Sequence, residues 1–252
     1  MRNPCQCSLA CRGLRRLAGL LLAFSAGAQA DLSIVGSRFI YPAGQSALTI
    51  RVGNVGQAPI LLQAWLDKGD AQANPSELAV PFVLSPPISR LEPMQRAALV
   101  LRYSGEPLPG DRESVFWVNF LEVPSRLPTS ENVLRLAYRM RMKLLYRPEG
   151  LAGTADQAVA QLRWRFSAAA KARNQAALLV SNPTPYYVSL AQLTLGSGAP
   201  AITRQGITVA PLGTTRIDLP DVQAITPDRA VIHYQVATDS GETLSGSARI
   251  QD

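Results

Sequence analysis

Residues 132–144, NVLRLAYRMRMKL, sort their side chains by parity into two chemically opposite sets. Leu134, Leu136, Tyr138, Met140, Met142 and Leu144 form one set, and Arg135, Arg139, Arg141 and Lys143 the other. Successive residues of an extended chain point to opposite faces of a sheet, so the pattern predicts one long strand with a continuous apolar row. It is about twice the usual strand length. A strand like this serves an ordinary core, or it stands as an exposed edge that can pair with another chain.

The first thirty residues carry Arg2, Arg12, Arg15 and Arg16, then the apolar run LAGLLLAF at 17–24, then small residues ending in Ala28-Gln29-Ala30. That is the pattern of a secretory leader with an A-x-A cleavage site, and it predicts an exported chain starting at Asp31. The run is too short to span a bilayer, which takes about 20 apolar residues, and no later stretch is long and uncharged enough for stable membrane insertion. Cys5, Cys7 and Cys11 all fall in the leader, so the mature chain carries no thiol and must be held by packing alone. The net charge of +7 is inflated by the leader. Without its four arginines, 21 basic residues face 18 acidic ones, which does not indicate a nucleic-acid partner.

Beyond the leader, 1–30, short apolar segments alternate with Gly, Pro and Asn turns. Strands are expected at 34–41, 46–52, 60–66, 80–84, 97–103, 115–123 and 132–144, and seven short strands in this span suggest an immunoglobulin-like sandwich over 31–150. PEGLAGTADQAVA at 148–160 loses the pattern and reads as a linker. A second, smaller β-sandwich is expected over 151–252, with strands at 162–166, 177–180, 187–195, 206–209, 215–219, 231–236 and 244–250. The fold class is all-β.

No G-x-S-x-G, phosphate-binding loop or dinucleotide fingerprint occurs, and no enzyme activity or cofactor is expected. The single histidine, His233, lies on an apolar strand pattern and reads as a core or strand-surface imidazole. Asp67, Asp70, Asp111 and Glu113 offer carboxylates for glycoside chemistry, but spacing along the chain cannot show the separation that chemistry needs.

LPGDRESVFWVNFLEVPS at 108–125 resembles the signature of the periplasmic chaperones of the chaperone/usher pilus pathway. SPPISRLEP at 85–93, MKLLYRP at 142–148 and SNPTPYYVSL at 181–190 agree with that family in the expected order, with Phe120 a mild departure. The resemblance implies two immunoglobulin-like domains in an L shape, with pilus subunits as partners bound in the cleft and along the last strand of the first domain. It implies that Arg38 and Lys143, the latter one of three lysines in the chain, hold the subunit's C-terminal carboxylate. A guanidinium and an ammonium in a partly desolvated cleft suit that group, because charge-assisted hydrogen bonds are strong there. Lys143 has the opposite parity to the apolar row, so a twist, a bulge or a contact from the strand's other face must bring it to the cleft.

The resemblance further implies that Leu134, Leu136, Tyr138 and Met140 form a donated strand that fills the open groove of an incomplete subunit. At about 25 cal/mol per Å² of apolar area, four such side chains are worth on the order of 6 to 10 kcal/mol before association costs. Glu113, Arg147 and Asp239 match an interdomain ion-pair network, Asp239 in a Thr-Asp-Ser-Gly variant of the usual turn. The short connection PSRLPTSE resembles the short-loop subclass. Delivery to an outer-membrane usher is implied, and the same open edge leaves self-capping of the free protein as a dimer open. The alternatives are a secreted two-domain β-sandwich adhesin or carbohydrate-binding module, and a secreted glycosidase.

Overall fold

The computed structural model describes residues 31–75, 79–125, 136–167, 176–196, 202–219 and 231–250. The leader expected at 1–30, most of the loop at 124–131, and Leu134 lie outside them. The first sandwich packs a four-stranded sheet, β1 (Leu32–Ile34), β3 (Leu48–Asn54), β7 (Arg96–Tyr103) and β5 (Phe82–Ser85) in spatial order, on a five-stranded one. The order of the latter is β2 (Arg38–Pro42), β9 (Tyr138–Arg147), β8 (Ser114–Pro124), β4 (Ile60–Asp67) and β6 (Ile88–Leu91). Ile60, Leu62, Ala64 and Leu66 of β4 meet Phe116, Val118 and Phe120 of β8 in one buried cluster, while the alternate residues face outward. Phe82 at the centre contacts Tyr41, Tyr103, Phe116 and Tyr146 in edge and tilted geometries, arrangements that the ring quadrupoles favour.

The second sandwich packs β10 (Arg163–Ser167), β11 (Ala176–Asn182) and β14 (Gly213–Leu219) against β13 (Ile202–Val209), β12 (Val188–Leu195), β15 (Val231–Ala237) and β16 (Thr243–Arg249). Its separate core holds Trp164, Leu178, Leu190, Leu193 and Ile232, with Trp164 stacked on Tyr234.

Three expectations change. The strand expected at 34–41 is two strands in different sheets, because Gly36 takes φ +105°, a left-handed conformation that glycine reaches without a Cβ clash. Ile88–Leu91 adds a short edge strand within the Pro-rich stretch. The stretch at 148–160 contains the helix α1 (Ala155–Ala160), capped by Thr154 Oγ1 accepting from Gln157 N, with Ala158 buried in the second core. A six-residue helix is too short for periodicity to announce it, and tertiary packing sustains it. The seven strands expected in the second sandwich are all present.

Candidate functional site

β9 is the strand that alternation in 132–144 foretold, displaced toward the C-terminus. It begins at Tyr138, with Leu136 and Ala137 before it outside any strand. It pairs antiparallel with β8 from Glu122↔Tyr138 to Ser114↔Tyr146 without a register shift. On its other side the parallel partner β2 covers only Arg38↔Lys143 to Pro42↔Arg147. Among the described residues no strand pairs with the outer edge over 138–142. That stretch presents unpaired backbone groups, a template for another extended chain.

Direct opposition in the ladder places the side chains. Met142 faces Val118 and Met140 faces Phe120 on the core side, where both pack partly against the first core and Leu144 is fully buried. Met140 is therefore engaged by its own domain as well as being on the proposed donor row. Leu136 is 49% exposed. Arg139, Arg141 and Lys143 line the other face, opposite Leu121, Asn119 and Trp117. The parity of Lys143 is thus met by a contact from the strand's other face, with no bulge.

The two cations expected to act as the anchor come together where the two domains meet. Arg38 and Lys143 are register partners on adjacent strands, and Lys143 Nζ donates to Ser189 Oγ of β12 at 2.7 Å. Burial, reinforced by the neighbouring Arg38 charge, lowers the Lys143 ammonium to about 8. Burial also lowers Arg38, against the pull of Asp239 and Glu113. Arg38 Nε is buried and, among the described residues, has no hydrogen-bond partner. Two half-desolvated cations, one with an orphaned donor, make a site that favours an anion. The surrounding cleft includes Asp156, Tyr187, Val188, Ser189 and Asp239.

Beside this pair, Arg147 Nη2 lies 2.6 Å from Glu113 Oε1 and 2.7 Å from Asp239 Oδ2. Glu113 Oε2 also accepts from Tyr187 N at 2.7 Å. Burial raises the Glu113 carboxyl despite Arg147, and the two carboxylates raise Arg147 against its own burial. Asp239 is presented by a tight turn closed by Thr238 N to Glu242 O and Gly241 N to Thr238 O, so the Thr-Asp-Ser-Gly variant still delivers a carboxylate here. The network joins the residue preceding β8 and the end of β9 in the first domain to the β11–β12 connection and the β15–β16 turn of the second.

The outer face of β9 holds partners that sequence reasoning missed. Asp67, fully buried, accepts from Arg141, from Asn119 Nδ2 at 2.7 Å and from Gly69 N at 2.7 Å. Its carboxyl is lowered because these donors outweigh the upward push of burial. Arg141 stacks 4.2 Å from the Trp117 ring, and Arg139 sits 4.9 Å from Trp65 while donating twice to Asn119 Oδ1. Alternation carried a signal for these contacts, since Trp65 and Asp67 share parity on β4 as Trp117 and Asn119 do on β8. Ser189 stood inside SNPTPYYVSL, but nothing local marks it as a partner of Lys143.

The acids weighed for glycoside chemistry are each engaged elsewhere: Asp67 by Arg141, Asp111 by Arg112, Glu113 by Arg147, and Asp70 by Gln72 N. His233 is exposed on β15 between Thr194 and Ser247. Among the described residues no cluster of His, Cys, Asp and Glu could hold a metal ion, and no helix is long and apolar enough to cross a membrane.

Residues 31–152 match the family described as "Pili and flagellar-assembly chaperone, PapD N-terminal domain", and residues 157–248 match "Pili assembly chaperone PapD, C-terminal domain". The chain belongs to the pilus-assembly chaperones. This chaperone is 39% identical over 241 residues to the chaperone protein FimB/FhaD of Bordetella pertussis, covering 93% of this chain and 94% of that one. It is 37% identical over 235 residues to the probable fimbrial chaperone YadV of Escherichia coli, covering 91% and 94%. The crystal structure of YadV superimposes with a TM-score of 0.73 at 36% identity, covering 88% of this chain and all of that one. A chain in the Salmonella enterica complex of the SafA pilin with the SafB chaperone gives 0.70 at 28% identity, covering 89% and 99%. The family is one of chaperones, not enzymes, and the adhesin and glycosidase alternatives are not favoured.

Proposed function

We propose that this chaperone binds newly exported pilus subunits by lending them a strand. The subunit's C-terminal carboxylate is held between Arg38 and Lys143, and its groove edge pairs with the open side of β9. Leu134, Leu136, Tyr138 and Met140 supply apolar groups to the groove. The observation that carries this reading is the change of pairing within β9. Lys143 and the residues after it are covered by β2, while 138–142 are open along the same edge. A chain anchored at its last residue beside Lys143 has a free edge to follow in one direction only, so the anchor sets the register of every later pair.

Glu113, Arg147 and Asp239 hold the two domains at the angle that shapes this cleft. The unit boundary lies at 150/151, between the end of β9 and Leu151, which packs on the second core. The leader at 1–30 sends the chain to the periplasm, an outer-membrane usher receives the loaded complex, and the short connection before β9 places the protein in the short-loop subclass. When no subunit is bound, the open edge lets two copies cap one another.

The test is periplasmic co-expression with a pilus subunit encoded beside this gene, followed by purification through a tag on the chaperone. A one-to-one complex is expected. A subunit lengthened by a few residues at its C-terminus should not co-purify, because its carboxylate no longer reaches the cation pair. Equal recovery of the lengthened subunit would refute the anchor.

A further inference from the structure

Glu122 is the one acidic residue of β8 after Ser114, and it points the wrong way for a surface charge. It stands opposite Leu62 and Tyr138, in phase with Phe116, Val118 and Phe120, and is 3% exposed. Its Oε1 accepts from the backbone N of Asp31 at 3.2 Å and its Oε2 from the N of Leu32 at 2.9 Å. Among the described residues, no lysine or arginine pairs with it. Two amide donors leave a buried carboxylate short of a counter-charge, and such groups are rarely kept without one.

Asp31 is fastened from its other side as well. Its carbonyl accepts from Val55 N at 2.8 Å, and Leu32 opens the ladder with β3 opposite Asn54. Its carboxylate lies over Gly56, where any side chain would collide with it. The nitrogen of residue 31 is therefore a located atom that faces Glu122. In the sequence, that nitrogen belongs to the bond after Ala28-Gln29-Ala30, and the family match also begins at residue 31.

We infer that removal of the leader supplies the missing charge: the α-ammonium of Asp31, created by cleavage after Ala30, forms a buried ion pair with Glu122. Hydrolysis of the Ala30–Asp31 amide adds the hydroxyl of water to the Ala30 carbonyl carbon and its proton to the Asp31 nitrogen. The new amine, whose ordinary pKa is about 7.7 to 8.0, takes up a further proton near neutral pH. An amide with one donor becomes an ammonium with three, a stronger and charge-assisted partner at the same atom. Processing thereby ties the first strand of one sheet to β8 in the middle of the other and completes the first domain's core. The inference rests on the leader reading above.

Mass spectrometry of the chain purified from the periplasm should give Asp31 as the N-terminus. A chain that is never exported would remove the leader reading itself, whereas an exported chain beginning elsewhere would remove only this ion pair. A cycle of four proteins then measures the pair: chains starting at Asp31 or extended by Gln29-Ala30, each with Glu122 or Glu122→Gln. The extension should lower the urea midpoint with Glu122 in place and leave it nearly unchanged with Glu122→Gln. Additive effects, or no effect of the extension, would overturn the pair. Should Glu122→Gln fail to fold, acylation of the α-amine in the unsubstituted mature chain decides the matter. Labelling near neutral pH should be at least about tenfold slower folded than in urea, the effect of one unit of proton affinity, and equal rates would overturn the pair.

Discussion

Lys143 Nζ donates to Ser189 Oγ across the junction of the two domains at 2.7 Å, so the cation at the point where the open edge ends is held by a neutral hydroxyl and not by a carboxylate. A neutral partner positions the ammonium without cancelling its charge, which keeps it available to an incoming anion. Burial and Arg38 nonetheless lower this ammonium to about 8. In the free chaperone the unfolded chain binds the proton more tightly than the folded one. Lys143 therefore opposes folding at low pH, and stability rises as pH increases from about 8 through the ordinary lysine value.

Subunit capture should run the other way, because the carboxylate binds the charged form. Affinity is expected to fall as pH rises above about 8, measured by titration calorimetry with a subunit or its C-terminal peptide. Lys143→Ala should remove both the binding and this pH dependence while the protein stays folded, and Arg38→Ala should abolish capture as well. An unaltered pH profile in Lys143→Ala would show that another group titrates.

Leu136→Glu should block subunit capture with little change in melting temperature, because Leu136 is exposed and precedes β9. Phe120→Ala, in the buried centre of the same sheet, should instead cost about 3 to 5 kcal/mol of stability by leaving a cavity. Paired urea unfolding and pull-down assays separate the two effects. Collapse of the Leu136→Glu fold would mean that this side chain serves the chaperone's own core.

Arg147→Ala strands the fully buried carboxylate of Glu113 and should destabilise the protein by about 3 to 5 kcal/mol. Adding Glu113→Gln should recover part of that loss, since the stranded charge is then gone. Asp239→Asn, at a partly exposed carboxylate, should cost far less. Thermal unfolding of the three variants beside the unsubstituted protein checks the order, and small-angle scattering should show a broader range of interdomain angles in Arg147→Ala.

Asp67 is held below the ordinary carboxylate range by Arg141, Asn119 and Gly69 despite its burial. A lowered carboxylate contributes stability that is complete above about pH 4 and lost as pH falls further. Asp67→Asn should flatten acid unfolding on that limb, and Arg141→Ala should mimic it while also exposing the Trp117 ring to solvent. Tryptophan fluorescence during acid titration reads both effects.

Alternation in 132–144 was enough to find β9 and to separate Lys143 from Leu136 and Tyr138. The same rule places Glu122 with Phe116, Val118 and Phe120, so its burial was legible from the chain, though only the folded structure shows what it accepts from. Other features lay beyond local pattern. Six residues are too few for a periodic signal to reveal α1, and parity cannot say that Gly36 breaks one strand into two.

What the sequence determined alone was therefore local: the alternating faces, the turns, the all-β class, and the motifs that mark the family. Side-chain alternation is a property of one extended backbone and needs no partner to be seen. Tertiary structure decided which polar atoms meet, because Lys143 and Ser189, Arg141 and Asp67, and Glu122 and Asp31 are 46, 74 and 91 residues apart. Such contacts exist only once the sheets have closed, and the geometry of that closure is set by packing across the whole core.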